Sequence, residues 1–349
     1  MSRVVTLADV AAHAQVSLAT ASRVVNGSAR RVGPDLRERV LSSSRALGYV
    51  VDAQAQAMAK GASRTVALVV GDIADPYFAS IAAGVIAAAD RRGLAVTIIA
   101  TESDAAKERD AVAALRSQRP QAILLAGSRQ VDRATELLLD AELELYVERG
   151  GRVAFVGGDV AVAGVDRVVP VQNRQGASEL ARALVGIGYT GFAVLGGPAH
   201  LVTAQARVSG FLEGLASAGI DVDAVPVIHG ALTRDGGFAG ALAVLDDGGP
   251  AECLFAVADV MAVGAMTALR ERGLRPGVDV GVAGFDDIPM LQDVRPGLTT
   301  VALPLAEIGS SALEFVLSDE PRTRSPEIGG VVRLRDSTPP RHTSPSSGT

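Results

Sequence analysis

The sequence predicts two architectures on one chain: an N-terminal all-α helix-turn-helix head, and an α/β core of two lobes with parallel sheets and a cleft between them. Three observations predict it. The first 64 residues carry nine Lys and Arg against four acids, a balance of +5. Of the chain's 33 bases and 39 acids, 24 and 35 then remain in the rest, a balance of −11. A small basic head on an acidic body suggests that the head meets a polyanion and the body does something else. The second observation is a set of closely spaced helix start and stop signals before residue 50. The third is the alternation of short apolar runs with helical stretches from Thr65 onward.

Length and composition agree. The chain of 349 residues, 48% hydrophobic and 21% charged, has room for two or three globular domains. No apolar run reaches the ~18 residues a membrane span needs. Residues 1–9 lack the apolar stretch and small-residue cleavage site of a secretory signal, so the expected location is the cytoplasm. Cys253 is the only cysteine and there are four scattered histidines, so neither an internal disulfide nor a thiolate or histidine metal site is expected, and no cofactor is indicated.

The head, residues 1–50, opens with Thr6 placed to cap and Asp9 in the first turn, followed by Leu7, Val10, Ala11 and Ala14 at helical spacing. After a break at Gln15-Val16, Ser17 can cap a second helix from Leu18 to Val25, which Asn26-Gly27 ends. A third starts at Gly33-Pro34, where the missing proline N–H is harmless, and stops at Gly48. Residues 51–64 form a linker centred on Ala53 to Ala59, made of good helix formers yet too short to be stable alone. Such a segment can be coil off its target and helix on it.

In the core, residues 65–338, strands are expected at 66–70, 96–99, 122–125, 153–156, 192–195, 253–256 and 280–283. Helices such as 76–92, 105–119, 176–187 and 260–272 intervene. Apolar strands alternating with helices mean parallel sheets covered on both faces. The series is too long for one sheet, so we expect two similar α/β lobes. A ligand then belongs in the cleft at the carboxyl ends of the strands. The Pro/Ser/Thr-rich tail, 339–349, is expected to be disordered.

Residues in unbroken order from 5 to about 338 resemble the lactose/galactose repressor family of bacterial transcription regulators. They are Thr6-Leu7-Ala8-Asp9-Val10-Ala11, Val16-Ser17, Ser22-Arg23-Val24 and Asn26-Gly27 in the head. Asp75-Pro76-Tyr77-Phe78, Arg207-Val208-Ser209-Gly210-Phe211, Asp259-Val260-Met261, Gly284-Phe285-Asp286-Asp287 and Leu298-Thr299-Thr300 follow in the core. The resemblance implies a DNA-reading head, a hinge helix and a core like the periplasmic sugar-binding proteins, with an N-lobe of about 65–163 plus 292–320 and a C-lobe of about 164–291 plus 321–338. It further implies a homodimer, or a tetramer of dimers, on a near-palindromic double-stranded operator, with a small effector, a sugar or sugar derivative by default, in the cleft.

On that basis the second helix enters the major groove with Leu18 and Ala19 at the base edges, where they can meet a thymine methyl. Arg23 is suited to a bidentate grip on guanine, or to a phosphate. Thr20, Ser22 and the backbone at Ser17 suit phosphates, Asn26 either joins them or only ends the helix, and Thr6 is counted among the DNA-binding residues. Two departures stand out. Gln15 occupies the turn position where the family has glycine, at a cost of roughly 1 kcal/mol if the left-handed backbone is kept. Met58 replaces the leucine wedge of the hinge, and either enters a minor-groove base step or packs on its dimer mate.

In the cleft the resemblance assigns Arg207 and Asp286 to sugar hydroxyls, donating and accepting respectively. The alternatives are a structural ion pair for Arg207, and a helix cap or lobe-hinge bond for Asp286. Tyr77 and Phe78 stand where relatives stack a ring on the ligand, one of them being expected to reach it, and Thr203 aligns with a contact position. Ala258, Gln172 and Gly157-Gly158 stand where relatives carry polar groups, and Leu201 replaces an arginine of the purine binders. An enzyme on this scaffold is opposed by the absence of G-x-G-x-x-G after the first strand, of a P-loop, of H-E-x-x-H and of G-x-S-x-G. A DNA-free sugar receptor is opposed by the basic head.

Overall fold

A computed structural model of the chain describes residues 5–25, 32–49, 63–157, 167–248, 251–319 and 325–341. It divides into two compact units, Met1–Arg64 and Thr65–Thr349.

The first unit holds α1 (Leu7–His13), α2 (Leu18–Val25) and α3 (Pro34–Ala46). Thr6 and Asp9 form a reciprocal capping box: the Asp9 N–H donates to Thr6 Oγ1 at 3.3 Å and the Thr6 N–H to Asp9 Oδ2 at 2.9 Å. α1 closes with the Val16 N–H donating to the Ala11 carbonyl and the Gln15 N–H to that of Ala12. That pattern needs a left-handed residue, and Gln15 supplies it at φ 53°. Arg39 helps to hold the turn by donating to the Ala14 carbonyl at 2.6 Å. Val10, Ala11, Ala14, Ala21, Val24 and Val40 are buried together and lock the three helices.

The second unit is the α/β core. Its N-lobe sheet consists of β1 (Thr65–Val70), β2 (Ala95–Ala100), β3 (Ala122–Ala126), β4 (Arg152–Val156) and β5 (Arg167–Val169). The strands are parallel in the order β2-β1-β3-β4-β5. Alternate residues of β1 serve opposite faces, as strand geometry demands. Val66, Leu68 and Val70 join Ile81, Val85, Ile308 and Ala312 from α4 (Pro76–Arg91) and α11 (Leu305–Leu317). Ala67 and Val69 join Val112, Leu115, Leu139 and Leu143 from α5 (Ala105–Gln118) and α6 (Arg133–Val147). The N-lobe sheet thus extends past the expected boundary at 163, because Arg167–Val169 pairs with β4. Three residues are too short a run to register in the sequence pattern.

The C-lobe sheet has the order β7-β6-β8-β9, from β6 (Phe192–Leu195), β7 (Val227–Ile228), β8 (Cys253–Ala256) and β9 (Gly281–Ala283). It is covered by α7 (Asn173–Gly186) with α8 (Val202–Ser217), and α9 (Arg234–Asp246) with α10 (Asp259–Glu271). Helices of a pair meet backbone to backbone at glycines. A Cβ on Gly84 would lie 1.9 Å from the Ala306 carbonyl oxygen, and one on Gly309 2.0 Å from that of Ile81. The same holds for Gly264 against Arg234 and Gly237 against Met261. The chain crosses between lobes near an antiparallel pair, β10 (Thr300–Ala302) and β11 (Val331–Arg333), with bridges Val171↔Ile328, Ala283↔Thr299 and Asp286↔Ala302. Among the described residues no helix is long and apolar enough to cross a membrane.

Candidate functional site

In the head, α2 turns Ala21 and Val24 inward and leaves Leu18, Ala19 and Arg23 exposed. Ala19 and Arg23 are four residues apart and so share a face. Leu18 is 54% exposed, an apolar side chain offered to solvent at the first position of the helix. Ser17 Oγ accepts from the Thr20 N–H at 3.1 Å and lies 2.9 Å from the Thr20 hydroxyl, so it caps the helix as its residue type suggests. The Thr6 hydroxyl donates to Asp9 within the capping box, and Ser22 is half-buried. Asn26 and Met58 lie outside the described residues.

In the core, α8 buries Arg207, which is 5% exposed. Its Nε donates to Asn173 Oδ1 at 2.9 Å and its Nη1 to the Val257 carbonyl at 2.7 Å. The guanidinium carbon lies 4.0 Å from the centroid of the Phe285 ring, a cation–π contact away from bulk water. Nη2 reaches Asp286 Oδ1 at 2.8 Å, an ion-pair distance. The approach is off the hydrogen-bond axis, and among the described residues Asp286 Oδ1 has no hydrogen-bond donor. The guanidinium charge still compensates this buried carboxylate oxygen, which keeps room for a better-aligned donor.

The backbone aims this carboxylate. Asp286 sits at φ 118°, its N–H donating to the Val301 carbonyl at 2.9 Å and its own carbonyl accepting from Leu303 at 3.2 Å. The expected alternatives for Arg207 and Asp286 therefore merge: the two side chains pair with each other, and Asp286 also makes the lobe-hinge bonds through its backbone. Burial pushes the Asp286 carboxyl up to about 6 against the opposing pull of Arg207. Burial likewise raises the Tyr77 hydroxyl above its ordinary range, with the Asp286 charge adding to it.

Tyr77 and Phe78 open α4 behind Asp75, whose Oδ1 accepts from the Tyr77 N–H at 2.9 Å. Both rings are half-buried and stand edge to face at 5.0 Å. The Tyr77 hydroxyl points past Gly157, where a Cβ would lie 3.6 Å away, while the Phe78 ring fills the space over Gly71. Thr203 is half-buried in the first turn of α8, and its N–H donates to Ser128 Oγ at 2.9 Å. It lines a cavity of 580 Å³ together with Gly157, Gln172 and Asn173.

Three residues belong to the site although their types gave little warning. Asn173 links Arg207 to the N-lobe, its Nδ2 donating to the Gly157 carbonyl at 2.9 Å. Val257 contributes only a carbonyl. Asp259 is wholly buried behind Asp286, accepting from Thr300 Oγ1 at 2.7 Å and the Ile288 N–H at 3.0 Å. Burial and the Asp286 charge hold its carboxyl well above the usual range. The Asp259-Val260-Met261 motif was the available signal, without a role attached.

An exposed helix-turn-helix surface on a basic head, joined to a two-lobed α/β core that buries an Arg–Asp pair, is the build of a ligand-responsive DNA-binding protein. Comparison with known proteins agrees. Residues 6–52 match the bacterial regulatory proteins of the lacI family, and residues 63–331 match the periplasmic binding proteins and sugar-binding domain of that family. The transcriptional regulator GalS of Salmonella typhimurium is 32% identical over 313 residues, covering 90% of this chain and 89% of that protein. The transcriptional repressor CytR of Escherichia coli K12 is 29% identical over 331 residues, covering 95% and 93%. The lac repressor dimer bound to operator and the anti-inducer ONPF superposes with a TM-score of 0.82 at 26% identity, covering 97% of this chain and all of that one. A complex of the transcriptional regulator CelR with cellobiose gives 0.68 at 29% identity, covering 95% and 99%. The chain belongs to the lacI family: it is a DNA-binding transcriptional regulator with a sugar-effector domain.

Proposed function

We propose that this regulator is a non-catalytic cytoplasmic repressor, whose head (1–50) reads an operator half-site and whose core (65–338) senses a neutral sugar or sugar derivative. Leu18 and Ala19 meet thymine methyls in the major groove, Arg23 grips a guanine, and Thr6, Ser17, Thr20, Ser22 and Asn26 set the register on phosphates. Two chains act together on a near-palindromic operator, with residues 51–64 as the hinge and Met58 as its minor-groove wedge. In the cleft, Asp286 Oδ1 accepts from a sugar hydroxyl, spare Arg207 N–H groups donate to its neighbour, and Tyr77, Phe78 and Thr203 border the ligand.

The observation that carries the reading is the buried Arg207–Asp286 pair at 2.8 Å, which sets a donor and an acceptor of hydroxyl hydrogen bonds side by side. The lac repressor bound to operator and anti-inducer and the cellobiose complex of CelR support it. Effector and operator then compete or cooperate through lobe geometry, a coupling typically of about 1–3 kcal/mol. Fluorescence anisotropy on fragments of the source genome should show salt-sensitive, sequence-selective binding that is lost on truncation through Arg64. A thermal-shift screen of neutral sugars should raise the melting temperature with at least one of them. Binding that survives the truncation, or a screen in which Asp286→Asn responds as the parent does, would overturn the respective half.

A further inference from the structure

The lobes touch at a second place, away from the crossing strands. After β3 the N-lobe loop Ser128–Val131 lies against the C-lobe segment leading into α8. The Val131 N–H donates to the His200 carbonyl at 2.8 Å, and the Val202 N–H to the Arg129 carbonyl at 2.9 Å. Gln130 and Leu201 form an antiparallel bridge between these bonds, and the Thr203 N–H donates to Ser128 Oγ at 2.9 Å. β3 is two strands in from the β5 edge and β6 two in from the β9 edge. The contact therefore stands roughly 10 Å from the crossing strands.

The loop is fixed from within the N-lobe by an arginine that no sequence signal marked. Arg129 is 3% exposed. Its Nη1 and Nη2 grip the two oxygens of Glu108, on α5, at 3.0 and 3.1 Å, and its Nε donates to Glu136 Oε2, on α6, at 2.8 Å. The other oxygen of Glu136 accepts from the Gln130 N–H at 2.6 Å, and the guanidinium carbon lies 4.8 Å from the centroid of the Phe155 ring. A buried arginine between two carboxylates is expensive to desolvate and contributes little net stability on average, so it is better understood as a device that fixes geometry. What it fixes is the carbonyl and N–H pair offered to the other lobe.

We infer that Ser128–Val131 is a non-covalent latch that holds the two lobes closed, and that Arg129 is its positioning residue through Glu108 and Glu136. Opening at the hinge must break this short ladder, so the latch sets how far the cleft is closed before any ligand enters. It goes beyond the effector reading and does not depend on which ligand, if any, the cleft takes.

The ladder can be cut without touching its helix. Val202 is the first residue of α8, where proline is tolerated, and Leu201 before it is extended at φ −96°, ψ 123°. Val202→Pro removes the N–H that Arg129 accepts and nothing the helix uses. Spin labels at the exposed Ala141 on α6 and Ala216 on α8, in full-length ligand-free protein diluted into unlabelled chain, read the separation of the lobes. Val202→Pro should broaden that distance distribution toward longer values at a nearly unchanged melting temperature. An unchanged distribution overturns the latch. Arg129→Gln should accelerate amide exchange at Val131, Val202 and Thr203 about tenfold or more while the interior of α8 keeps its protection. A lower melting temperature with parental exchange at those amides would reduce Arg129 to a packing role and overturn its part.

Discussion

The exposed face of α2 and the buried Arg207–Asp286 site of the core are built in opposite ways. α2 leaves Leu18, Ala19 and Arg23 in water and commits Ala21, Val24 and part of Val25 to packing. The core buries Arg207 and Asp286, pairs them at 2.8 Å and ties the arginine to Asn173 and Val257. A duplex brings its own dense charge, so exposed groups suffice and most of the affinity is electrostatic. A neutral polyol brings no charge, and only desolvated, pre-aimed groups discriminate it from water. The head can therefore lose a contact and still fold, whereas the cleft's contacts are part of its fold.

That contrast can be broken where it is greatest. Arg207→Met should cost about 3–5 kcal/mol of core stability at pH 7.5, since it strands the Asp286 charge in the interior. The Asp286 carboxyl ionises near 6 in the folded chain, above its ordinary value, so this group adds stability as pH falls from about 6 toward 4. The deficit should shrink at pH 5, where the carboxyl is largely protonated. Equal deficits at the two pH values in chemical denaturation would show that the charge is not the cause. In the head, Arg23→Ala should leave the melting temperature unchanged and relax base preference at one position per half-site by about 1–3 kcal/mol. Selection from a randomised operator library checks it, and an unchanged consensus would assign Arg23 to a phosphate. The smallest effect sharpens the comparison: Gln15→Gly should stabilise the head by about 1 kcal/mol, because it relieves a left-handed non-glycine residue in an otherwise regular cap. Melting of the isolated transition of the head reads it.

The long elements were legible because burial on both faces leaves an unmistakable apolar run. Every strand expected from such a run is present within two residues of its expected ends, as at Ala122–Ala126 and Cys253–Ala256. The strands that escaped, Arg167–Val169, Val227–Ile228, Thr300–Ala302 and Val331–Arg333, are two or three residues long and lie at sheet edges or in the lobe crossing. At that length periodicity has no room to show itself, and pairing is decided by neighbours distant in sequence. The head's caps were legible to the residue, since Thr6, Ser17 and Gly33-Pro34 act locally. Of the cleft, Arg207 and Asp286 were visible as residue types while their mutual pairing was not, because it depends on how the lobes close. Arg129 left no trace at all: a lone arginine in a loop resembles a solvated one until Glu108 and Glu136 are seen around it.

The glycines at the helix crossings carry a consequence for how this regulator can move. With Gly84 and Gly309 letting α4 and α11 touch main chain to main chain, and Gly237 with Gly264 doing so for α9 and α10, no side chain is available there to slide or repack. Each lobe is thereby a stiff lever. Any displacement that a metabolite imposes must be delivered undiminished to the few strands where the levers meet, and a single added methyl at one of these contacts would have to prise the paired helices apart.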